Sequence, residues 1–487
     1  MTYYNCVGNM TIDAGWVSML KKTVPVAFST QCPVRPNVVF IDGQIKLMKS
    51  QSIRTWNSFV ELQFRRTIEK AFETGARVVV LGFDNYVHVP TAKNMTQRKR
   101  MQDVQALEFC ADAELPSAIP ENWDAAIKNR TFKTKVIGLV LRSLRAHFQH
   151  EAGSTLILDY MGTPEVLGRP MQLPSWLEVS ETSHTAPLLK RGECDIKAFT
   201  WADMGPLLIE STDGDFIALG LIQTNPNRRI ILHRIKTNIK PPGGVVTGNQ
   251  QASGKLKREY EFVDISMLHK YLCRDEHLRA SCLDDNSEDN EEKAENEENK
   301  KIEDADDAVA ADVKSEIIQP KSSDNHTKDH AITSFASLVA MTGCDFCMNL
   351  PMLGPTRLWN LRQHIQNLNM NSERGQLVFI TLVLTDVNKK VLYNAGEYNE
   401  IRKRALHANT AIEALAAYEH LLKTMLRQVS VAERTRKSLW SRARMRAHVR
   451  NTLWTLQYWH KLHEFADPLT GDYGFERHKN HVVFAGC

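Results

Sequence analysis

Four short apolar runs set the strongest constraint on how this chain can fold. They are Val38-Val39-Phe40-Ile41, Val78-Val79-Val80-Leu81, Thr155 to Leu158, and Leu207-Leu208-Ile209. Each is too short for a helix, three are rich in β-branched residues, and none alternates with polar residues. Such runs fit strands buried on both faces. Helical patterns stand between them, over 54–74 and 126–149. This alternation predicts an α/β fold, with a central, mostly parallel, twisted sheet flanked by helices.

The rest of the chain divides by composition. The spacing predicts an N-terminal sheet region over 1–100, an insertion over the sheet edge at 101–190, and an internal sheet region at 191–273. Within the last, 224–260 reads as an excursion turning at Pro241-Pro242-Gly243-Gly244. An acidic linker without hydrophobic periodicity covers 274–330. A helix from Ile332 opens a hairpin region at 331–375. A mainly helical, basic region follows at 376–487, with a strand-like run at Leu377 to Leu384 and helices over 397–428 and 431–464.

Charge is unevenly shared. The net charge is +4 over 487 residues, yet 284–307 alone holds 13 acids against 3 bases. That stretch carries −10, which leaves +14 on the remainder. A basic body suits a polyanionic partner, and the acid run reads as a solvated loop. No apolar run approaches the roughly 18–20 residues of a membrane span. Met1 to Asp13 lacks a basic start followed by an apolar stretch, so the expectation is an intracellular, non-secreted protein. The 9 cysteines are odd in number and scattered, which favours reduced thiols. Cys344 and Cys347 form a lone CxxC with no second pair at zinc spacing.

The acids next to the apolar runs carry the chemistry. Asp42 closes the first run, and Asp84 follows the second after Gly82-Phe83. Asp213-Gly214-Asp215 follows the fourth. Groups at the carboxyl ends of parallel strands gather in one crevice, so these four should converge. Glu193-Cys194-Asp195 opens an amphipathic stretch, and Asp345 follows the apolar helix Phe335 to Met341. Taken singly, each acid is as well explained as a helix cap or a turn residue. Crowded carboxylates repel one another and require cations. Mg²⁺, with Mn²⁺ as a substitute ion, prefers such hard oxygen ligands. Two ions about 4 Å apart can activate a water and stabilise the leaving oxygen of a phosphodiester. No His/Cys cluster points to zinc, and no GxxxxGK[ST] loop points to NTP chemistry.

Two further features fit a phosphate-containing substrate. Lys93 and Arg100 stand seven apart, on one face if helical, and can lean over the crevice to stabilise phosphate charge. The segment Leu350-Pro351-Met352-Leu353-Gly354-Pro355-Thr356-Arg357 is a Pro/Gly hairpin before a helix. Its backbone N–H groups, with the Thr356 hydroxyl and the Arg357 guanidinium, can hold phosphates without reading bases. Arg434, Arg436, Lys437, Arg442, Arg444, Arg446 and Arg450 form a basic stretch that suits phosphate, a nuclear-import signal or plain solvent. Trp454 and Tyr458, four apart, read as core packing.

Taken together, these residues resemble the flap endonuclease/XPG family of structure-specific 5′ nucleases. The similarity rests on Phe40-Ile41-Asp42, Phe83-Asp84 with its following bases, Glu193-x-Asp195, Ser211-Thr212-Asp213-Gly214-Asp215 with Gly220, Gly343-Cys344-Asp345-Phe346-Cys347, and Leu350-Pro351-x-Leu353-Gly354-Pro355. It implies a PIN-like fold with a helical arch and a helix–two-turn–helix that binds duplex DNA with K⁺ at the hairpin. It implies 5′ flap endonuclease or 5′→3′ exonuclease activity, and the expected partner is DNA with single-strand/double-strand junctions; a nuclear location is a separate expectation. It also implies that Asp42, Asp84, Glu193 and Asp195 serve one ion, and Asp213, Asp215 and Asp345 the other, with Lys93 and Arg100 as arch bases. The chain departs from the family at its start, where only Gly15 to Leu20 is similar. Met48 replaces an aromatic residue, and no sliding-clamp box is seen. Two alternatives share the pattern: a ribonuclease on the same scaffold, and a catalytically silent nucleic-acid-binding module.

Overall fold

The computed structural model describes residues 14–47, 53–84, 115–151, 153–160, 164–171, 194–224, 228–237, 258–278, 323–343, 347, 350, 352–428, 431, 439–460, 473, 475–478 and 481–484. Its centre is an eight-stranded sheet. The strands are β1 (Phe28–Ser29), β2 (Val38–Asp42), β3 (Val78–Gly82), β4 (Thr155–Asp159), β5 (Glu165–Gly168), β6 (Leu207–Glu210), β7 (Ile230–Thr237) and β8 (Arg258–Asp264). All four apolar runs are strands of this sheet, and each is buried along its length apart from the half-buried Glu210.

The order across the sheet is β1-β8-β7-β6-β2-β3-β4-β5. Strands β7, β6, β2, β3 and β4 are mutually parallel. Strands β5, β8 and β1 join the flanks antiparallel. The chain therefore builds outward from β2 through β3 to β4, then returns to lay β6 and β7 on the other side of β2. The reversal falls between β2 and β6. In an open parallel sheet this is where the connections diverge and leave a crevice beyond the carboxyl ends.

The run composition follows from burial on both sides. Val38, Phe40, Val78, Val80, Ile157, Leu207 and Ile209 point to one apolar core. Their alternates Val39, Ile41, Val79, Leu81, Leu156, Leu158 and Leu208 point to another. The second core is closed by the helices within 56–73 and by Arg130–Phe148. The first is closed by Ala14–Thr23, Cys194–Thr200, Asp215–Gln223, Ile265–Leu272 and the helix ending at Met341.

Two expectations change here. Residues 115–171 fall within the 101–190 range read as an insertion, yet they supply β4, β5 and the covering helix Arg130–Phe148. Likewise the 224–260 excursion contains β7 (Ile230–Thr237) and the start of β8 (Arg258–Asp264), with Ile231 opposite Asp264. Residues 85–114, 172–193 and 238–257 lie outside the described residues.

The described residues of 376–487 are mainly helical, with a two-stranded antiparallel sheet at Phe475–His478 and His481–Phe484. Leu377 to Leu384 is not a strand. It lies in the helix Glu373–Val387, capped by Ser372, whose hydroxyl accepts from the Gly375 amide. Residues 375–385 are all buried, so this helix has no polar face there, and its sequence mimics a buried strand. The pattern over 397–428 is two helices, Tyr398–Leu406 and Ala411–Arg427, the second capped by Thr410. Arg442–His460 packs against the helix ending at Met341 and against Asp215–Gln223, where Gln223 Nε2 donates to the Trp459 carbonyl at 2.7 Å. Trp454 and Tyr458 are buried and stacked 5.2 Å apart, which makes them core residues.

Several bases of this stretch have structural partners. Arg446 and Arg450 both hold Glu373, Arg442 holds Glu419, and Arg444 lies over Trp440. Arg434, Arg436 and Lys437 lie outside the described residues. Cys32, Cys194, Cys273 and Cys347 are free thiols. Among the described residues, no helix is long and apolar enough to cross a membrane.

The chain passes tightly at the carboxyl edge. A Cβ on Gly43 would stand 2.5 Å from Phe83 Cε1 and 2.6 Å from the Gly82 carbonyl oxygen. The carbonyl is fixed by the sheet and cannot yield. Gly43→Ala is expected to cost about 1–3 kcal/mol, read as a lower urea midpoint at unchanged slope.

Candidate functional site

Asp42 is the last residue of β2 and is buried at 6% exposure. One carboxylate oxygen, Oδ1, accepts from the Gln44 amide at 2.9 Å, so Asp42 does cap the short helix Gly43–Lys46. The other, Oδ2, accepts from the Ser211 hydroxyl at 3.0 Å. Ser211 directly follows β6, so this bond spans the gap where the sheet order reverses. The same hydroxyl accepts from the Asp213 amide at 3.2 Å, and Asp213 Oδ1 accepts from the Asp215 amide at 3.1 Å. Asp215 opens the helix Asp215–Gln223 and is buried. A chain of polar contacts thus links Asp42, Ser211, Asp213 and Asp215.

On the other side of β2, Asp84 leaves β3 two residues past its end and is buried. Its Oδ1 accepts from the Cys194 amide at 2.8 Å, at the start of the helix Cys194–Thr200. Asp195 sits in the first turn of that helix, also buried, with Oδ1 accepting from the Ile196 amide at 3.0 Å. A buried carboxylate at a helix start meets unpaired amides and the positive end of the dipole.

The acids feel one another. Burial, then the charges of Asp84 and Asp213, push the Asp42 carboxyl up to about 7, against the opposing pull of its Ser211 and Gln44 hydrogen bonds. The Cys194 thiol is pushed well above its usual value by burial and then by Asp42 and Asp84. It therefore stays protonated and apolar, packed 3.1 Å from where a Cβ on Gly82 would stand. Opposite Asp213, the half-buried Arg234 guanidinium is lowered by burial and held up by Glu261 and Asp213.

Five of the seven sequence-predicted acids, Asp42, Asp84, Asp195, Asp213 and Asp215, stand at this one edge. Glu193, Asp345, Lys93 and Arg100 lie outside the described residues. Among the described residues, no three His, Cys, Asp or Glu side chains converge on a single point. The donors that are present suit a hard divalent ion: they are carboxylates, the one thiol among them is protonated, and burial leaves their charge poorly hydrated.

The hairpin residues are carried by other elements. Leu350 is buried, with its amide donating to the Met341 carbonyl, so its side chain anchors the turn. Gly354, Thr356 and Arg357 are exposed at the start of the helix Pro355–Asn360. Arg357 donates to the Met352 carbonyl at 2.7 Å, and Met352 holds a left-handed φ of 68°. An open groove of about 740 Å³ lies here, lined by Gly15, Gly354, Thr356, Arg357 and Asp386 among others.

Two residues at the acidic edge carried no sequence signal for their role. Ser211 stood inside a recognised motif as a spacer, and only its bridging position gives it a function. Lys197 lies in the stretch opened by Glu193-Cys194-Asp195 and drew no reading of its own, yet it is 5% exposed. No protein-family model matches the chain, and no curated protein matches it in sequence.

Proposed function

We propose that this chain is a metal-dependent nuclease that hydrolyses phosphodiester bonds, cutting DNA at single-strand/double-strand junctions as a 5′ flap endonuclease or 5′→3′ exonuclease. One observation carries the reading. Asp42 is held at the strand-order reversal, among acids from three distant segments, with its carboxyl pushed up to about 7. A fold gains nothing in stability from such a cluster unless a cation neutralises it.

Asp42, Asp84, Glu193 and Asp195 would serve one Mg²⁺ and Asp213, Asp215 and Asp345 a second, each ion taking one or two of these carboxylates directly and the rest of its shell from water. Bound there, the ions would supply Lewis-acid charge to a scissile phosphate and its attacking water. The chain's own residues do the rest. Ser211 fixes the Asp42 carboxylate by a hydrogen bond. The Cys194 amide fixes Asp84. Buried Phe83, Cys194 and Phe40 keep bulk water from the floor of the crevice. Lys93 and Arg100 would meet the phosphate from above, and the exposed residues Gly354, Thr356 and Arg357, with K⁺, would hold the duplex backbone. A nuclear compartment belongs to the same proposal.

The test is cleavage of end-labelled flap, nicked duplex, hairpin and single-stranded RNA substrates with Mg²⁺ or Mn²⁺. The expected result is cutting near the flap junction that EDTA abolishes. Cutting of RNA alone would move the substrate class. No cutting of any substrate with either ion would overturn the reading.

A further inference from the structure

We propose that Lys197 is the positioning residue of this site, a buried cation that locks together the three segments presenting Asp84 and Asp195. The inference rests on the nuclease reading for its catalytic consequence, but its structural part stands on geometry alone.

Lys197 lies in the helix Cys194–Thr200, one turn beyond the start that carries Cys194 and Asp195. Its ammonium donates to the Phe83 carbonyl at 3.1 Å and to the Tyr160 carbonyl at 3.0 Å. It also stands 3.0 Å from Asp159 Oδ1, in an ion pair whose partners are 5% and 6% exposed. Phe83 directly precedes Asp84. Asp159 ends β4, and Tyr160 follows it. The Phe83 amide in turn donates to the Asp159 carbonyl at 2.9 Å. One side chain therefore joins the exit of β3, the exit of β4 and the helix that caps Asp84.

The three bonds saturate the ammonium, which has three donors and no acceptor. Lys197 is thus spent on the scaffold and has no N–H left for a substrate phosphate. Its position is also electrostatically apt, because it shares the surroundings of the Cys194 thiol with Asp42, Asp84 and Asp195 and opposes their effect there. It supplies a fixed positive charge beneath the acids. Without it the buried Phe83 carbonyl would lose this donor, and the Asp84 carrier would keep only the Phe83 amide bond as its tie to the end of β4.

Lys197→Met alone strands the Asp159 charge and can fail to fold. The informative variant is Lys197→Met/Asp159→Leu, which replaces the buried pair with apolar side chains of similar size. Four proteins are compared: the natural chain, this double variant, Lys197→Gln and Asp42→Asn. Mn²⁺ binding without substrate is followed by EPR titration, thermal midpoint by circular dichroism, and cleavage against Mn²⁺ concentration. The double variant is expected to fold with a cooperative transition and to bind Mn²⁺ at least tenfold more weakly. Its half-saturating Mn²⁺ for cleavage should rise in parallel, with KM for DNA within about twofold. Excess Mn²⁺ should recover most of the rate, which a general loss of structure would not permit. Unchanged Mn²⁺ affinity and unchanged kcat in a folded double variant would overturn the Lys197 role. So would a double variant that remains unfolded while Mn²⁺ binding by Lys197→Gln, which keeps two N–H donors but no charge, matches the natural chain. Failure of the natural chain to bind Mn²⁺ would instead overturn the metal-site reading. Binding without cleavage would overturn the nuclease activity and leave the affinity comparison as the test of Lys197.

Discussion

Asp42→Asn is expected to abolish cleavage and, in the same protein, to raise thermal stability at pH 8 in the absence of divalent ions. The two effects share one cause. The carboxyl of Asp42 is pushed up to about 7 in the fold, chiefly by burial and then by Asp84 and Asp213. In the unfolded chain it titrates at its ordinary value of 3.8. Between these values the folded state binds more protons than the unfolded one. Stability from this group is therefore lost as pH rises through the window, and the full cost stands above about 7. An amide carries no charge and escapes that cost. It loses one acceptor, because Oδ1 and Oδ2 each receive a hydrogen bond and an amide offers only one oxygen. The net gain expected at pH 8 is on the order of 1–3 kcal/mol, vanishing near pH 4. Cleavage should fall by a factor on the order of 10³, since a neutral amide is a poor ligand for a hard ion. Thermal melts at pH 4, 6 and 8, run beside cleavage assays, check both signs. A variant equally stable at all pH values but inactive would separate the two effects and remove burial of the charge as their common cause.

Removing divalent metal from the natural chain should produce the second large effect. In EDTA, stability is expected to decline as pH rises from about 4 to about 7, following Asp42. With millimolar Mg²⁺ this decline should flatten, because an ion that binds only the folded state restores stability by mass action. At 100 times the dissociation constant that gain is about 2.7 kcal/mol. The midpoint in Mg²⁺ should exceed that in EDTA at pH 8 and match it at pH 4, where Asp42 is protonated and the site is lost. Cleavage should disappear in EDTA and return with Mg²⁺. A midpoint indifferent to Mg²⁺ at pH 8 would mean that the acids at this edge hold no ion.

Much of the fold was legible because parallel strands buried on both faces leave an unmistakable trace. Val38 to Ile41 and Val78 to Leu81 have no polar alternate, since each side chain faces one of two apolar cores. The acids that close such runs mark the sheet's carboxyl edge, so Asp42, Asp84, Asp213 and Asp215 could be placed before any coordinates. Strands β7 and β8 escaped notice for the opposite reason. His233, Arg234, Glu259 and Glu261 interrupt their apolar residues, and their antiparallel pairing is set by contacts far apart in sequence. The run Leu377 to Leu384 misled because a helix buried on all sides carries no helical period.

At the site, ligand-type residues were legible and their supports were not. A carboxylate after a strand announces itself by position. Ser211 and Lys197 matter only through what they touch: Asp42 across the sheet reversal, and Phe83, Asp159 and Tyr160 beneath it. The ion pair Lys46–Glu210, joining the helix Gly43–Lys46 to the end of β6, was hidden in the same way. A lone lysine or serine has no sequence context that distinguishes such a support from a solvated surface group.

Crystals of the chain soaked in Mn²⁺ and measured at the manganese absorption edge offer the most direct test. Anomalous peaks should lie beyond the carboxyl ends of β2 and β6, with Asp42 and Asp213 oxygens about 2.1 Å from an ion. Peaks confined to other surfaces, or none at this edge with Asp42, Asp84 and Asp213 turned apart, would contradict a cation site assembled from these distant acids.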